Sequence, residues 1–513
     1  MLSLKNIIRN ILYIALPLGG VGGGLISCSD FLDEEDKDLV IPESVSQYEA
    51  MLHKEAFLDV SWFYMSDFMT DDITENPGAT TSAKNTYKSL YTWARDVERD
   101  GEGNVITATN NMWRSLYQDV LVANYIIENG PKATGSDDER NFLVAEAYFV
   151  RARSYLELVN IYAPVYDAAT ASSTPGVPLR LDTGVANDYR RESVAGVYAQ
   201  IESDLMAAIS LFGSSSTKKS LWHPNADAAQ LLLSRVYLYK GEWQKVVDTT
   251  KDLATRQLYD LTHRPNSPMI VSTNTEVLHT YGSPASLYPG TDESLGVMDI
   301  PSIYQTDLTT CTYGASEDLL SKFALTTNDC RKYTWVINPQ GGNTMTIPAK
   351  WHGQFTQVGA YHYRLAEAYL NRAEALAAMG NTGEAEALMT KYLSSRIANF
   401  SSQRHTYMPS ATATALDWRK FIVDQRRLEF CFEDMRWFDL RRINAWYPHT
   451  LKHVFTLAST ASGSTVVTVQ GTETYTLQPT SPNYVFEIPE SETQMNTTIS
   501  VYGKREVITS VNN

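Results

Sequence analysis

The sequence predicts a mainly α protein, a scaffold of helix pairs interrupted by a loop-rich insertion that contains short strands. Three observations predict it. Long stretches repeat apolar residues three or four apart, the spacing of one helix face. Two later segments each fold back at a glycine, Gly241 and Gly380. Between them, over residues 259–354, helical periodicity fades and Pro, Gly, Ser and Thr increase.

The elements follow in chain order. Asn110–Asn129 carries Leu116, Val120, Ala123, Asn124 and Ile127 on one face and ends at Gly130-Pro131. Asp137–Tyr162 opens on three acidic residues, which favour a helix N-terminus, and Pro164 stops it. Ser193–Phe212 holds Val197, Ile201, Leu205 and Ile209 in phase. Ala226–Leu253 and Ala366–Leu393 read as helix–turn–helix units. Aligned on their glycines, Ser234 falls on Ala373, Tyr237 on Leu376 and Val246 on Ala385. Small residues seven before each glycine let two helices approach closely, and the second unit resembles a tetratricopeptide repeat, with a generic helical hairpin as the alternative. In the insertion, Glu276-Val277-Leu278 and Tyr333-Thr334-Trp335-Val336-Ile337 read as strands. Thr456–Tyr475 reads as a hairpin or a disordered arm.

The N-terminus has its own chemistry. Lys5 and Arg9 precede an uncharged stretch that ends in Leu25-Ile26-Ser27-Cys28. This reads as a secretory signal closing on a bacterial lipobox, in which a peptidase cuts after a small residue and the freed Cys28 is acylated. Gly19, Gly20, Gly22, Gly23 and Gly24 argue against a transmembrane anchor, which wants about 20 apolar residues. The acidic run from Asp33 to Asp36 reads as a solvated tether or a surface-export signal. The expected organisation is therefore signal peptide 1–27, acidic tether 28–45, N-terminal helical scaffold 46–258, ligand-binding insertion 259–354, C-terminal helical repeats 355–447 and a C-terminal arm 448–513.

The formal charge is −16, and loss of Lys5 and Arg9 with the signal takes it two further, to −18. So acidic a surface repels phosphate backbones and makes nucleic acid a poor partner. With Cys28 acylated, Cys311, Cys330 and Cys431 leave at least one thiol unpaired; Cys311 and Cys330 are the pair open to a disulfide.

Asp417–Trp446 carries the most specific pattern. Arg426, Arg427, Glu429 and Glu433 lie within helical reach of one another, Asp434 can take a left-handed turn, and Arg436 to Arg442 start a second helix. This resembles the C-terminal signature of the SusD/RagB family: Arg-Arg-x-Glu, then Phe-Glu-Gly, then Arg-Trp-x-Asp-Leu-Arg-Arg. The matches are Arg426, Arg427, Glu429, Phe432, Glu433, Arg436, Trp437, Asp439, Leu440, Arg441 and Arg442; Asp434 stands where the family usually has Gly. Further blocks are similar in family order: Trp113–Tyr117 through Ala123-Asn124, Arg151-Ala152, Asn274–Val277, Asp329–Arg331, Arg364–Ala375 and Glu487–Glu492. Val501–Asn513 departs from the usual terminus. We read these motifs as scaffold, with the charged cluster as structural pairing.

The resemblance implies a non-enzymatic nutrient-binding lipoprotein of the outer membrane, facing the exterior. Its expected partner is a SusC-like TonB-dependent transporter, and its expected ligand an oligosaccharide or, as in some relatives, a peptide. An envelope tetratricopeptide adaptor without small ligand is the other alternative. No cofactor or metal is implied. His449 and His453 have a metal-like spacing without a nearby third ligand. No nucleophile elbow, phosphate loop or zinc motif occurs, and Asp71-Asp72 is a chance-level carboxylate pair for a hydrolase. Sugars stack on aromatic faces and bond polar side chains. The ligand-binding candidates are therefore Trp93, Tyr281, Tyr288, Tyr304 and Tyr313, with Asp67, Asp71, Asp72 and Asn76 as polar partners. Trp113, Trp437 and Trp446 read as core.

Overall fold

The computed structural model describes residues 41–58, 66–184, 189–263, 273–282, 312–323, 328–337, 346–348, 359, 361–464, 466–499 and 504–512. The expectations for the signal peptide, Cys28, the acidic run and Cys311 lie outside these residues. No helix among the described residues is long and apolar enough to cross a membrane.

The chain is mainly α, as predicted. The first helices are α1 (Val45–Leu52), α2 (Thr81–Tyr91), α3 (Thr107–Asn129), α4 (Asp137–Tyr162) and α5 (Val194–Ser214). The two glycine-turned pairs are α6 (Ala226–Lys240) with α7 (Trp243–Thr249), and α10 (Leu365–Ala378) with α11 (Thr382–Ser394). Between the pairs lie α8 (Glu317–Phe323) and α9 (Cys330–Trp335); α12 (Phe400–Tyr407), α13 (Ala415–Phe430), α14 (Arg436–Ile443) and α15 (Glu490–Met495) complete the set. The strands are β1 (Ile73–Glu75), β2 (Val277–Tyr281), β3 (Tyr313–Ala315), β4 (Val336–Ile337), β5 (Ile347–Pro348), β6 (Tyr361–Arg364), β7 (Leu451–Thr460), β8 (Val467–Leu477) and β9 (Val511–Asn512). They pair antiparallel as β1–β3, β2–β6, β4–β5 and β7–β8–β9.

Local chemistry sets the helix ends. Ser136 accepts from the backbone of Glu139, whose carboxylate accepts in return from the Ser136 backbone, a capping box that starts α4. Thr414 and Asp417 do the same for α13. Gly241 (φ 72°) and Gly380 (φ 84°) are left-handed and end α6 and α10. Helix α4 is apolar nearly all round because it packs between α3 and α5 and is buried on several sides. The small-residue alignment also has its predicted consequence: Ser234 and Ala373 are buried where α6 meets α10, and the Asn371 amide donates to the Ser234 hydroxyl at 3.0 Å. The buried apolar side chains form one cluster from Val45 to Ile499.

Two readings change. Tyr333–Trp335 is the end of α9, and only Val336–Ile337 is strand. The Asp329 carboxylate accepts from the Arg331 backbone N–H at 3.0 Å and turns the chain into a helix before the β-branched residues are reached. Trp446 is half-buried, not core, and lies under the Arg419 guanidinium, 3.7 Å from the ring centroid. The 456–475 stretch is a hairpin, β7–β8, with a register shift between Leu457 and Ala458.

The turn between α13 and α14 places both Phe432 (φ 64°) and Asp434 (φ 55°) in the left-handed region. Asp434 is buried, accepts from the Ser66 hydroxyl at 2.9 Å, and is pushed well above the usual carboxylate range by burial and by Asp67 beside it. A raised carboxyl pKa stabilises the fold at low pH, and that contribution is lost as pH rises. Asp434→Gly removes this loss and the left-handed strain of about 1 kcal/mol, and gives up one hydrogen bond of similar size. Its melting temperature should match wild type near pH 4 and exceed it increasingly towards pH 8; a flat difference would refute the assignment.

Candidate ligand-binding site

The charged motifs of the sequence meet inside the scaffold. Arg364, at the end of β6, donates to Glu429 (2.8 Å), Glu276 (3.1 Å) and Glu433 (2.7 Å). Arg396 spans Glu276 and Glu429 at 2.9–3.0 Å. Burial alone would raise the Glu429 pKa, but Arg396 and Arg364 override it and hold the carboxylate well below its ordinary range. Tyr392 donates to Glu429, and Arg331 bonds both Tyr392 and Asp329. Arg151 clasps Asp204 and the Asn124 amide oxygen at 2.6–2.8 Å. Arg426 joins Asp439 to Asn371, and Arg442 joins Asp439 to Glu374. The cluster is therefore structural pairing, as the sequence implied, and it locks α10, α13, α14, β2 and β6 together.

These pins consume several of the predicted ligand contacts. Arg427 bonds Asp72 at 2.6 Å, and Arg436 takes both Asp71 oxygens at 2.7–2.8 Å. Asp67 and Asp72 have no exposed surface, and the Asn76 side chain accepts from the Gly78 backbone. Trp93 and Tyr313 are fully buried: the Trp93 indole donates to the Met69 carbonyl at 2.8 Å, and the Tyr313 hydroxyl donates to the Lys84 carbonyl at 2.8 Å. In this structure none of Trp93, Tyr313, Asp67 or Asp72 presents a face to a solute. The expectation is corrected because the segment 66–93 packs on α14 and β7 instead of forming an open loop. Tyr288 and Tyr304 lie outside the described residues. His449 and His453 are not brought together as ligands. The His453 ring lies between Tyr91 and Trp93 and faces the Tyr91 and Thr70 carbonyls, while His449 faces the Tyr447 carbonyl.

Tyr281 has a different setting. It ends β2 opposite Tyr361 of β6, their centroids 5.0 Å apart and stacked, with His279 and Tyr363 extending the row. Arg153 lies over Tyr281 at 4.6 Å and Arg235 over Tyr363 at 5.3 Å. This aromatic row floors a cleft rimmed by the partly exposed Glu157, Asn160, Arg235, His362, Glu433 and Phe438. The cleft has a volume of about 60 Å³, room for a few waters. Tyr361, His362 and Tyr363 line the cleft and were not among the sequence candidates; the Tyr-His-Tyr alternation at the head of a helix was the available signal.

Burial pushes the Glu157 carboxyl up to about 8, with Arg153 offsetting only part of that shift. The group is therefore protonated at pH 7 and can donate to a ligand oxygen. Its folded pKa exceeds the ordinary 4.5, so its stabilisation is complete below pH 4.5 and lost as pH rises through about 8. Glu157→Gln should leave the stability unchanged near pH 4 and raise it by pH 9, by on the order of 1–3 kcal/mol, as read by chemical denaturation. A variant no more stable than wild type at pH 9 would contradict the raised pKa.

Two family models match this chain. One, described as starch-binding and associating with the outer membrane, matches residues 30–238; the other, the SusD family, matches 304–502. The chain belongs to the SusD/RagB family. SusD-like protein P2 of Formosa agariphila is 23% identical over 479 residues, covering 82% of this chain and 88% of that protein. A SusD superfamily protein of Bacteroides thetaiotaomicron shares the fold with a TM-score of 0.65 and 19% identity, covering 90% of this chain and 100% of the other. A structure described as a laminarin-binding SusD-like protein has a TM-score of 0.56 and 17% identity, covering 89% of this chain and 97% of its own. SusD/RagB proteins are helical, tetratricopeptide-like, glycan-binding proteins of the outer membrane. In this member the family's Arg–Glu motifs build the frame, and the β2–β6 aromatic row is the feature that frame holds in place.

Proposed function

We propose that this protein is a cell-surface lipoprotein, anchored through acylated Cys28, that captures an oligosaccharide and passes it to a SusC-like TonB-dependent transporter. The observation that carries the reading is the family match on both halves of the chain, 30–238 and 304–502. The laminarin-binding relative supports a glycan as the ligand class. The β2–β6 cleft suits it too: aromatic rings line it, and Asn160, Arg235, His362 and Glu157 stand at the rim for hydroxyls. Tyr281, Tyr288 and Tyr304 remain our stacking candidates, with Asp71 and Asn76 as peripheral polar ones. The mode of action is retention by shape and hydrogen bonding, with no bond made or broken.

Calorimetric titration against α-glucan and β-glucan oligosaccharides and against oligopeptides tests it. Glycan binding without turnover is the expected result. His362→Ala should weaken it by about 2–10-fold, one hydrogen bond's worth, and Asn160→Ala likewise with a small loss of melting temperature, because Asn160 also accepts from the buried Tyr198 hydroxyl at 3.2 Å. Binding to peptides alone would replace the glycan reading with the peptide one, and hydrolysis of bound sugar by pure protein would overturn the non-enzymatic reading. Copurification of a barrel transporter with wild type, and release of Cys28→Ser from the membrane fraction, test partner and anchor.

A further inference from the structure

Away from the β2–β6 cleft, three residues far apart in sequence converge. His53 opens a short π-helical turn (His53–Leu58) that follows α1. Glu146 projects from the middle of α4, and His223 sits just before the Asn225 cap of α6. The His53 Nε2 is 3.0 Å from the His223 Nδ1, which is 2.8 Å from the Glu146 Oε1. One ligand atom from each residue lies within 4.8 Å of the other two.

Proton bookkeeping cannot satisfy this arrangement. The single His223 Nδ1 is either an N–H or a lone pair. As an N–H it faces two acceptors, the carboxylate and the His53 nitrogen. As a lone pair it faces two groups that must both donate. One contact is left unmade in either tautomer. Glu146 adds a second anomaly: its side chain is fully buried, and among the described residues its other oxygen has no hydrogen-bond partner and no Lys or Arg pairs with it. Lys219, whose charge reaches Glu146, is itself paired with Glu49. A buried carboxylate without a cation is costly.

We propose that His53, Glu146 and His223 are the three protein ligands of a divalent transition-metal site of the zinc class, with water as the fourth ligand. A cation takes one lone pair from each atom, removes the conflict at Nδ1 and neutralises the Glu146 charge. The donor set, two imidazoles and one carboxylate, is one that zinc accepts in tetrahedral geometry. Bonds of about 2.0–2.1 Å place tetrahedral ligand atoms about 3.3 Å apart, so to admit the ion the two contacts at His223 open by a few tenths of an ångström and the His53–Glu146 separation, within 4.8 Å, adjusts with them. The two histidines are half-buried, which leaves a path for entry. The site ties the π turn after α1 to the α4–α6 scaffold, and its role is structural.

The test uses untagged protein stripped with EDTA. Titration with zinc against a chromophoric chelator should show one equivalent bound. Cobalt(II) substitution should give the intense visible absorption of a tetrahedral ion. His53→Ala and His223→Ala should each lose the stoichiometric equivalent, Glu146→Gln, which preserves shape, should weaken it by about 10-fold or more, and His449→Ala should retain it. Circular dichroism checks that each variant is folded. No equivalent bound by wild type, a weak octahedral cobalt spectrum, or full binding retained by folded His223→Ala would each overturn the proposal. None of these outcomes depends on glycan binding.

Discussion

Arg396→Met should destabilise the protein by about 3–5 kcal/mol, the cost of breaking a buried ion pair while leaving its partners charged. Arg396 is fully buried and serves both Glu276 and Glu429, and its guanidinium also donates to the Tyr259 carbonyl at 2.6 Å. Without it, Glu276 and Glu429 keep Arg364, which they share with Glu433. The pH response gives the prediction a second readout. In wild type the Glu429 pKa is held down, so its stabilisation is present above about 4.5 and lost on acidification. In the variant burial dominates, the carboxyl pKa rises, and stability should increase from pH 8 towards pH 5. Chemical denaturation at these two pH values measures both effects. A loss below about 1 kcal/mol would mean that the network is not the lock between the insertion strands and the C-terminal helices.

Trp93→Ala should cost a comparable amount, about 3–5 kcal/mol, through a large buried cavity. The indole stacks on His453 with centroids 4.2 Å apart and donates to Met69, while the Trp93 carbonyl accepts from Asn483. The residue thus joins the segment after α2 to β7 and to the C-terminal tail. Glycan affinity, measured well below the variant's melting temperature, should stay within about 2-fold of wild type, because no ligand contact is removed. Lost affinity with an unchanged melting temperature would return Trp93 to the ligand site.

Much of the architecture was legible because it rests on local rules. Asp137–Tyr162 declared itself by acidic residues at one end and Pro164 past the other, and the helix occupies those residues. Gly241 and Gly380 marked turns because only a left-handed residue ends those helices cheaply. Asp434 was recognised as a turn residue from the motif around it, although the companion left-handed residue, Phe432, carried no such mark. Tyr333–Ile337 misled because β-branched and aromatic residues suit strands, while Asp329 two residues upstream of Arg331 decided for a helix.

The site was far less legible. An aromatic in a polar, turn-rich stretch looks the same in sequence whether it faces a sugar or the core. Trp93 and Tyr281 differ only in what is folded against them: Met69, His453 and Asn483 enclose one, while Tyr361, across a β-ladder, leaves the other beside a cleft. His53, Glu146 and His223 are separated by 93 and 77 positions along the chain and share no local pattern.

The sequence by itself determined the helical class, the turns and the family, since each is written in patterns along the chain. Only the tertiary structure decided which charged residues pair, which aromatics are core, and where imidazoles meet a buried carboxylate. Those outcomes depend on desolvation and on distances between segments hundreds of residues apart, neither of which periodicity or spacing encodes.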